Sequence, residues 1–282
     1  MEIALVLVSA FLHALWNALL RLEADKDRAL VAAVTIATLL AVIVAAARWS
    51  ATGVPPLPTT GSIVWSLTAG LLELAYFVTL ARALDRGPLG PVYTVSRGGA
   101  ILVTWPVSVA WFGEVATPGA IAGSVAVLAG VALAGRTSGS SPMPRRALGW
   151  AIICAVAIAG YHLAYKAAMD AGGSSSAVFA LALGLATAVN YVRLGRVGRR
   201  VVAGLLRTRL LRIAMMGVIC GGSFLLLIQA LASSGAGFAL TARNTSVLFA
   251  TMLAAAMGER PRAPQIAGAA LVAAGAVAMA WP

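Results

Sequence analysis

Ten runs of mostly apolar residues follow one another along this chain, each about twenty residues long and so able to cross a bilayer as a helix. They lie near 3–21, 30–48, 62–84, 90–112, 118–136, 147–167, 175–193, 210–232, 236–257 and 263–281. With 282 residues in all, little is left over for a soluble domain. Only 11% of residues are charged and 61% are hydrophobic, whereas an ordinary soluble domain carries about 25% charged residues. That balance excludes a water-soluble enzyme, and it excludes disorder, which needs low hydrophobicity. The runs are continuous and rich in Ala, Leu and Gly rather than alternating with period two, so an outer-membrane barrel is excluded as well. The first run lacks a basic segment before it and is interrupted by Trp16 and Asn17, which reads as a span and not as a signal peptide. The expected fold is an all-α polytopic membrane protein. Cys154 and Cys220 both sit inside apolar runs and imply no disulfide framework.

A formal net charge of +12 would suggest nucleic acid in a soluble protein. Here its placement argues otherwise. Loops after odd-numbered spans hold Arg21, Lys26 and Arg28; Arg82 and Arg86; Arg136, Arg145 and Arg146; seven arginines between positions 193 and 212; and Arg260 with Arg262. The opposite side has Arg48 and Lys166. The positive-inside rule then places the odd-numbered loops in the cytoplasm and both termini outside. The 193–212 cluster reads as a topology determinant, with binding of anionic lipid headgroups as the alternative. The partners expected are a lipid bilayer and a small molecule, with no nucleic acid.

Shifting the chain by 145 residues aligns it with itself. Trp16-Asn17 falls on Tyr161-His162, Arg21 on Lys166, Asp25 on Asp170 and Gly113-Glu114 on Gly258-Glu259. Ile121-Ala122-Gly123 falls on Ile266-Ala267-Gly268, and Gly130 on Gly275. Each half holds five spans, so the second enters the membrane in the opposite sense. The expected organisation is two inverted five-helix repeats, 1–136 and 147–282, joined by a linker at 137–146. Inverted repeats of this kind place a substrate near the midplane between the halves of a secondary transporter.

Two five-span halves, an aromatic–Asn pair in the first span (Trp16-Asn17), and a Gly-Glu at the ends of spans four and nine resemble the EamA branch of the drug/metabolite transporter superfamily. The resemblance covers the whole chain. It implies ten helices around a central cavity, alternating access, and often export of amino acids, metabolites or drugs, without implying one substrate.

Polar residues shared by the two halves read as scaffold. Glu114 precedes Thr117-Pro118, an N-cap followed by proline at the first helical position. Residues present in one half only are the candidates for function. Glu73 lies mid-span, and its partner at the repeat offset is Val218. A charged side chain at that depth costs roughly 2.5–3.5 kcal/mol on insertion scales, and a carboxyl that gains and loses a proton there can couple transport. The competing reading is a neutral Glu bonded to a neighbouring helix. His13, Trp16 and Asn17 share one helical face at spacings of three and four. His162 takes the Asn17 position in span six, and both histidines belong to the residue type that changes charge near neutrality. Arg97 and Arg243 fall at nearly equivalent depths in spans four and nine. They suit a carboxylate or phosphate, or else snorkel to the interface. Gly98 and Gly99 are expected to let span four unwind beside Arg97. Tyr76, Tyr93 and Trp105 suit a cavity wall, and Asn244 follows Arg243. Small residues at Gly119, Gly123, Gly268 and Gly275 allow close helix contact, within one chain or across a dimer. No metal cluster, P-loop or nucleophile constellation emerges, so neither an enzyme nor a cofactor is expected. The reading is a secondary exporter of a small polar metabolite in the inner membrane, monomeric or homodimeric. Substrate contacts are assigned to Arg97, Arg243, Trp16, Asn17, Tyr76, His162 and Asn244, and proton coupling to Glu73 and His13. An uncoupled facilitator, a multidrug exporter or a non-transporting scaffold is the alternative.

Overall fold

In the computed structural model, residues 2–112, 117–136, 143–233 and 243–280 are described. Among them the chain forms ten helices: α1 Glu2–Arg21, α2 Lys26–Thr52, α3 Thr60–Arg86, α4 Leu89–Phe112, α5 Pro118–Arg136, α6 Arg145–Asp170, α7 Ser175–Thr208, α8 Leu210–Ser233, α9 Ser246–Ala256 and α10 Ala263–Ala280. Helices are the expected outcome for apolar spans, because hydrocarbon offers no partner for backbone polar groups and a helix satisfies them within the segment. Five of the helices, α2, α3, α6, α7 and α8, are long and apolar enough to cross a membrane by themselves. The chain is a multi-pass membrane protein.

Helix ends follow local chemistry. Thr59 and Ser62 form a capping box at the start of α3, Asp25 caps α2 through the Arg28 amide, and Thr117 Oγ1 accepts from the Ala120 amide at the start of α5. Glu114 and most of the expected linker lie outside the described residues. So does the first part of the ninth apolar run, of which α9 covers residues 246–256. One span ends differently from expectation. The run at 175–193 continues as helix to residue 208, interrupted at Gly195, which adopts φ 63°, ψ −171°. Only glycine takes such a conformation without strain, so the arginine-rich stretch 196–208 is a separate helical segment turned away from the span's axis.

The helices pair in a pattern that maps onto itself when each is exchanged for the one five positions away. α3 packs on α6 as α8 packs on α1, α4 on α6 as α9 on α1, and α2 on α8 as α7 on α3, while α2–α7 and α5–α10 are self-paired. The α5–α10 crossing repeats the same symmetry at atomic scale. A Cβ at Gly130 would lie 2.6 Å from the Gly268 carbonyl oxygen, and one at Gly275 would lie 2.6 Å from the Gly123 oxygen. These four glycines are partners at the 145-residue offset, and the small-residue stripe is used inside the chain, where it lets two backbones touch.

The two ends of the bundle are fastened differently. At the arginine-rich end, Glu23 (3% exposed side chain) in the α1–α2 turn pairs with Arg209 and Arg212 at 3.5 and 2.6 Å. Asp27 receives Arg193 at 2.6 Å, Lys26 meets Asp85 at 3.2 Å, and Arg21 approaches Glu259 at 3.7 Å. Glu259 also accepts the Leu89 amide that opens α4. At the other end the fastenings are mostly backbone: the Ser174 amide donates to the Pro56 carbonyl at 2.8 Å, and Thr59 Oγ1 donates to the Ala171 carbonyl at 2.6 Å.

If the glycine crossing carries the α5–α10 contact, Gly130→Ala and Gly275→Ala each lower the unfolding midpoint in detergent, by the 1–3 kcal/mol typical of overpacking (order of magnitude). Gly149→Ala, where a Cβ meets nothing within 4 Å, leaves it in place. Equal midpoints for all three would mean that the crossing is looser than described.

Candidate functional site

The polar side chains singled out by the sequence converge from four helices and the residues before α9 on the middle of the bundle. α1 supplies His13, Trp16 and Asn17; α3 supplies Glu73 and Tyr76; α4 supplies Tyr93 and Arg97; α6 supplies Tyr161, His162 and Tyr165; and the turn before α9 supplies Arg243 and Asn244. α8 adds Ser223 and Phe224, and α7 adds Phe179. All are buried, with Glu73, Arg97 and Arg243 at 0, 3 and 1% exposure. Neither arginine therefore snorkels to an interface.

Arg243 is the hub. Its Nη2 lies 2.7 Å from His13 Nδ1, and its guanidinium lies over the Phe224 ring, 4.5 Å from the centroid. Trp16 Nε1 donates to the same His13 nitrogen at 3.3 Å. A nitrogen that accepts from an indole N–H and a guanidinium carries no proton itself, which fixes the His13 tautomer with its hydrogen on Nε2. Ser223 Oγ stands 3.4 Å from His13 Nδ1 and donates to the Cys220 carbonyl, and Ser9 Oγ donates to the Ser223 carbonyl. α1 and α8 are thereby joined through polar groups.

Arg97 lies 5.9 Å from the Tyr93 ring. Aromatic rings wall the cluster: Tyr76 and Tyr161 centroids are 5.5 Å apart, Tyr161 and His162 4.2 Å, and Phe179 stacks on Phe224 at 5.3 Å. Cys154 and Cys220 are buried and free.

Many polar atoms here have no protein partner: both Glu73 oxygens, Arg97 Nη2, Arg243 Nε and Nη1, the hydroxyls of Tyr93, Tyr161 and Tyr165, and Nε2 of both histidines. Buried polar atoms are usually bonded, and so many orphans in one place, carrying both charge signs, mark a site suited to a polar ligand or to ordered water. Asn17 and His162 occupy equivalent positions and behave alike: Asn17 Nδ2 donates to the His13 carbonyl at 2.7 Å, and His162 Nδ1 to the Ile158 carbonyl at 2.8 Å, each one turn back along its own helix. Each keeps one further polar atom unpaired in the cluster. Among the described residues, no group of three or more His, Cys, Asp or Glu side chains could hold a metal ion.

Two expectations are corrected by the packing. α4 stays helical through Gly98 and Gly99 instead of unwinding. A Cβ at Gly98 would lie 2.7 Å from Val131 Cγ2, and one at Gly99 would lie 3.1 Å from Ala155 Cβ, so these glycines admit neighbouring helices rather than free the backbone. Trp105 makes none of the cluster's ring contacts and is half-buried. Phe179, Ser223 and Phe224 were not singled out by the sequence: aromatic residues inside apolar spans carry no signal, and Ser223 was detectable only as a lone hydroxyl beside Gly221 and Gly222.

A helical multi-pass fold around a buried polar centre accords with a membrane transporter of the drug/metabolite type, which a family match supports. Residues 145–281 match the model of the EamA-like transporter family, which is consistent with the drug/metabolite transporter superfamily. A crystal structure of a protein 19% identical in sequence covers 98% of this chain and 96% of its own, with a TM-score of 0.63; likeness at that identity concerns the fold. No curated protein sequence matches the chain.

The His13–Arg243 contact makes a measurable statement. In detergent unfolding, the effects of His13→Leu and Arg243→Met on stability are non-additive: the double variant departs from their sum by about 0.5–3 kcal/mol, the range for coupled neighbours. Strict additivity would mean that the contact is not formed.

Proposed function

We propose that this chain is a secondary active exporter of a small polar organic metabolite, such as an amino acid or organic anion, in the inner (plasma) membrane. It works by alternating access of two inverted five-helix repeats, as a monomer or homodimer, and catalyses no covalent reaction. The observation that carries this reading is that two guanidinium groups with unpaired N–H donors and a carboxyl with two unpaired oxygens are all buried in the same bundle. An anionic substrate group takes the donors of Arg97 and Arg243, whose planar forks suit carboxylate or phosphate. Trp16, Asn17, Tyr76, His162 and Asn244 line its surroundings. The self-mapping helix pairing and the reciprocal glycine crossing support the inverted repeats, 1–136 and 147–282 with a linker at 137–146.

Proton coupling is assigned to Glu73 and His13. A proton arriving on His13 Nδ1 cannot share that nitrogen with Arg243, so protonation releases the guanidinium from α1. Glu73, buried in the same bundle, is the alternative counter-charge when ionised and a hydrogen-bond donor when neutral. Proton occupancy at these two groups thus decides whether Arg243 is held by the protein or is available to the substrate.

Thermal-shift screening of purified protein against amino acids, organic anions, amines and nucleosides identifies the ligand. Stabilising ligands are expected to carry a carboxylate or phosphate, and their effect is lost in Arg243→Gln. In proteoliposomes with that ligand, Glu73→Gln abolishes proton-driven uptake and keeps counterflow. Unchanged proton coupling would remove Glu73 as the carrier and favour an uncoupled facilitator; stabilisation by amines alone would overturn the anion assignment.

A further inference from the structure

A second polar constellation lies away from the centre, at the end of the bundle opposite the arginine-rich segment. A cavity of about 480 Å³ opens between α2, α7 and α8. Its polar end is made by Arg48, Ser175 and Ser176, and its apolar wall includes Gly222, Leu225 and Ile228.

α7 begins at this cavity without a side-chain cap from Ser174. The Ser174 amide donates to the Pro56 carbonyl, and the Ala177 amide donates to the Ser174 carbonyl. The amides of Ser175 and Ser176 remain as first-turn donors with no helical acceptor. The Ser176 hydroxyl is in a residue only 5% exposed and has no hydrogen-bond partner. Arg48 Nη1 donates to Ser175 Oγ at 3.2 Å, which brings a guanidinium to the helix N-terminus. A positive helix end, an arginine and an unpaired buried hydroxyl all favour an oxyanion, and among the described residues no acidic side chain lines the cavity. Arg48 is also a rare basic residue at this end of the bundle, so topology does not account for it. Along the apolar wall, a Cβ at Gly222 would meet nothing within 4 Å, leaving room beside Leu225 for a hydrocarbon chain.

We propose that this cavity binds a phosphate-type oxyanion. The head lies among Arg48, the Ser176 hydroxyl and the first amides of α7, and any tail runs along Leu225 and Ile228. Two sources share that chemistry: an anionic phospholipid, whose acyl chain the apolar wall accepts, and a free phosphate or phosphomonoester.

Native mass spectrometry of the full chain in micelles holding equal phosphatidylglycerol and phosphatidylcholine reads lipid retention, and a thermal-shift titration with inorganic phosphate reads the head group alone. Wild-type protein is expected to retain phosphatidylglycerol preferentially or to be stabilised by phosphate. Arg48→Gln and Ser176→Ala each weaken that response by about tenfold, as expected for loss of one charge-assisted or buried hydrogen bond. Arg48→Lys recovers part of it. Gly222→Leu fills the apolar end: loss of lipid retention identifies phospholipid as the source, whether or not the phosphate response survives, and retention of both responses identifies the free oxyanion. Equal retention of the two lipids with no phosphate response overturns the proposal. So does preferential retention that persists undiminished in both Arg48→Gln and Ser176→Ala, which would move the anionic lipid to the 196–208 arginines. Unfolding midpoints in phosphatidylcholine alone, equal to wild type, show that the variants are folded.

Discussion

Two guanidinium groups held out of water in the middle of an apolar bundle set the terms for everything around them. An arginine in that position is costly unless its donors are met, and the protein meets them only in part. One Arg243 nitrogen is taken by His13 Nδ1 and its face by Phe224; Arg97 has the Tyr93 ring within reach. Glu73 is buried in the same bundle with both of its oxygens unpaired. A bundle packed for stability alone would place apolar side chains at these positions. The retention of unpaired donors and acceptors at one point, with so little exposure, is the feature that makes a polar ligand the natural completion of the fold.

Packing explains how such a centre is tolerated. Helices that carry no polar cluster are drawn together by backbone contact. α5 and α10 cross where Gly130 meets Gly268 and Gly275 meets Gly123, with Val272 and Ala126 packed beside them. The charged centre is thus drawn mainly from α1, α3, α4, α6 and the residues before α9, while α2 and α7 meet through hydroxyl pairs, Thr35–Tyr191 and Thr38–Thr187.

Much of this was legible in the sequence, and the boundary of legibility has a physical origin. Span positions followed the run lengths because hydrocarbon thickness fixes how many apolar residues a helix needs. Thr117-Pro118 named the start of α5 because capping is local. Glu73, Arg97 and Arg243 stood out because charge in an apolar run is expensive wherever it falls. What one strand of sequence does not display is which of these meet. The His13–Arg243 contact spans 230 positions, and nothing near either residue announces the other. Gly98 and Gly99 were ambiguous for the same reason: a glycine that loosens its own helix and one that admits a neighbour look alike until the neighbour is placed. The arginine-rich stretch after Gly195 was read as a loop because its charge masks helical periodicity. Phe179 and Phe224, which stack at the centre, are indistinguishable in sequence from any aromatic residue facing lipid.

The unlike fastenings at the two ends of the bundle have a further consequence. One end is closed by carboxylate–guanidinium and carboxylate–ammonium pairs, each with at least one partly exposed partner, the other chiefly by backbone and hydroxyl hydrogen bonds. Ionic pairs at a surface weaken as salt shortens the Debye length, from about 10 Å at 0.1 M to 3 Å at 1 M, and neutral hydrogen bonds respond far less. Ionic strength therefore acts unequally on the two ends of the bundle: it weakens the fastenings at the arginine-rich end and leaves those at the opposite end nearly untouched.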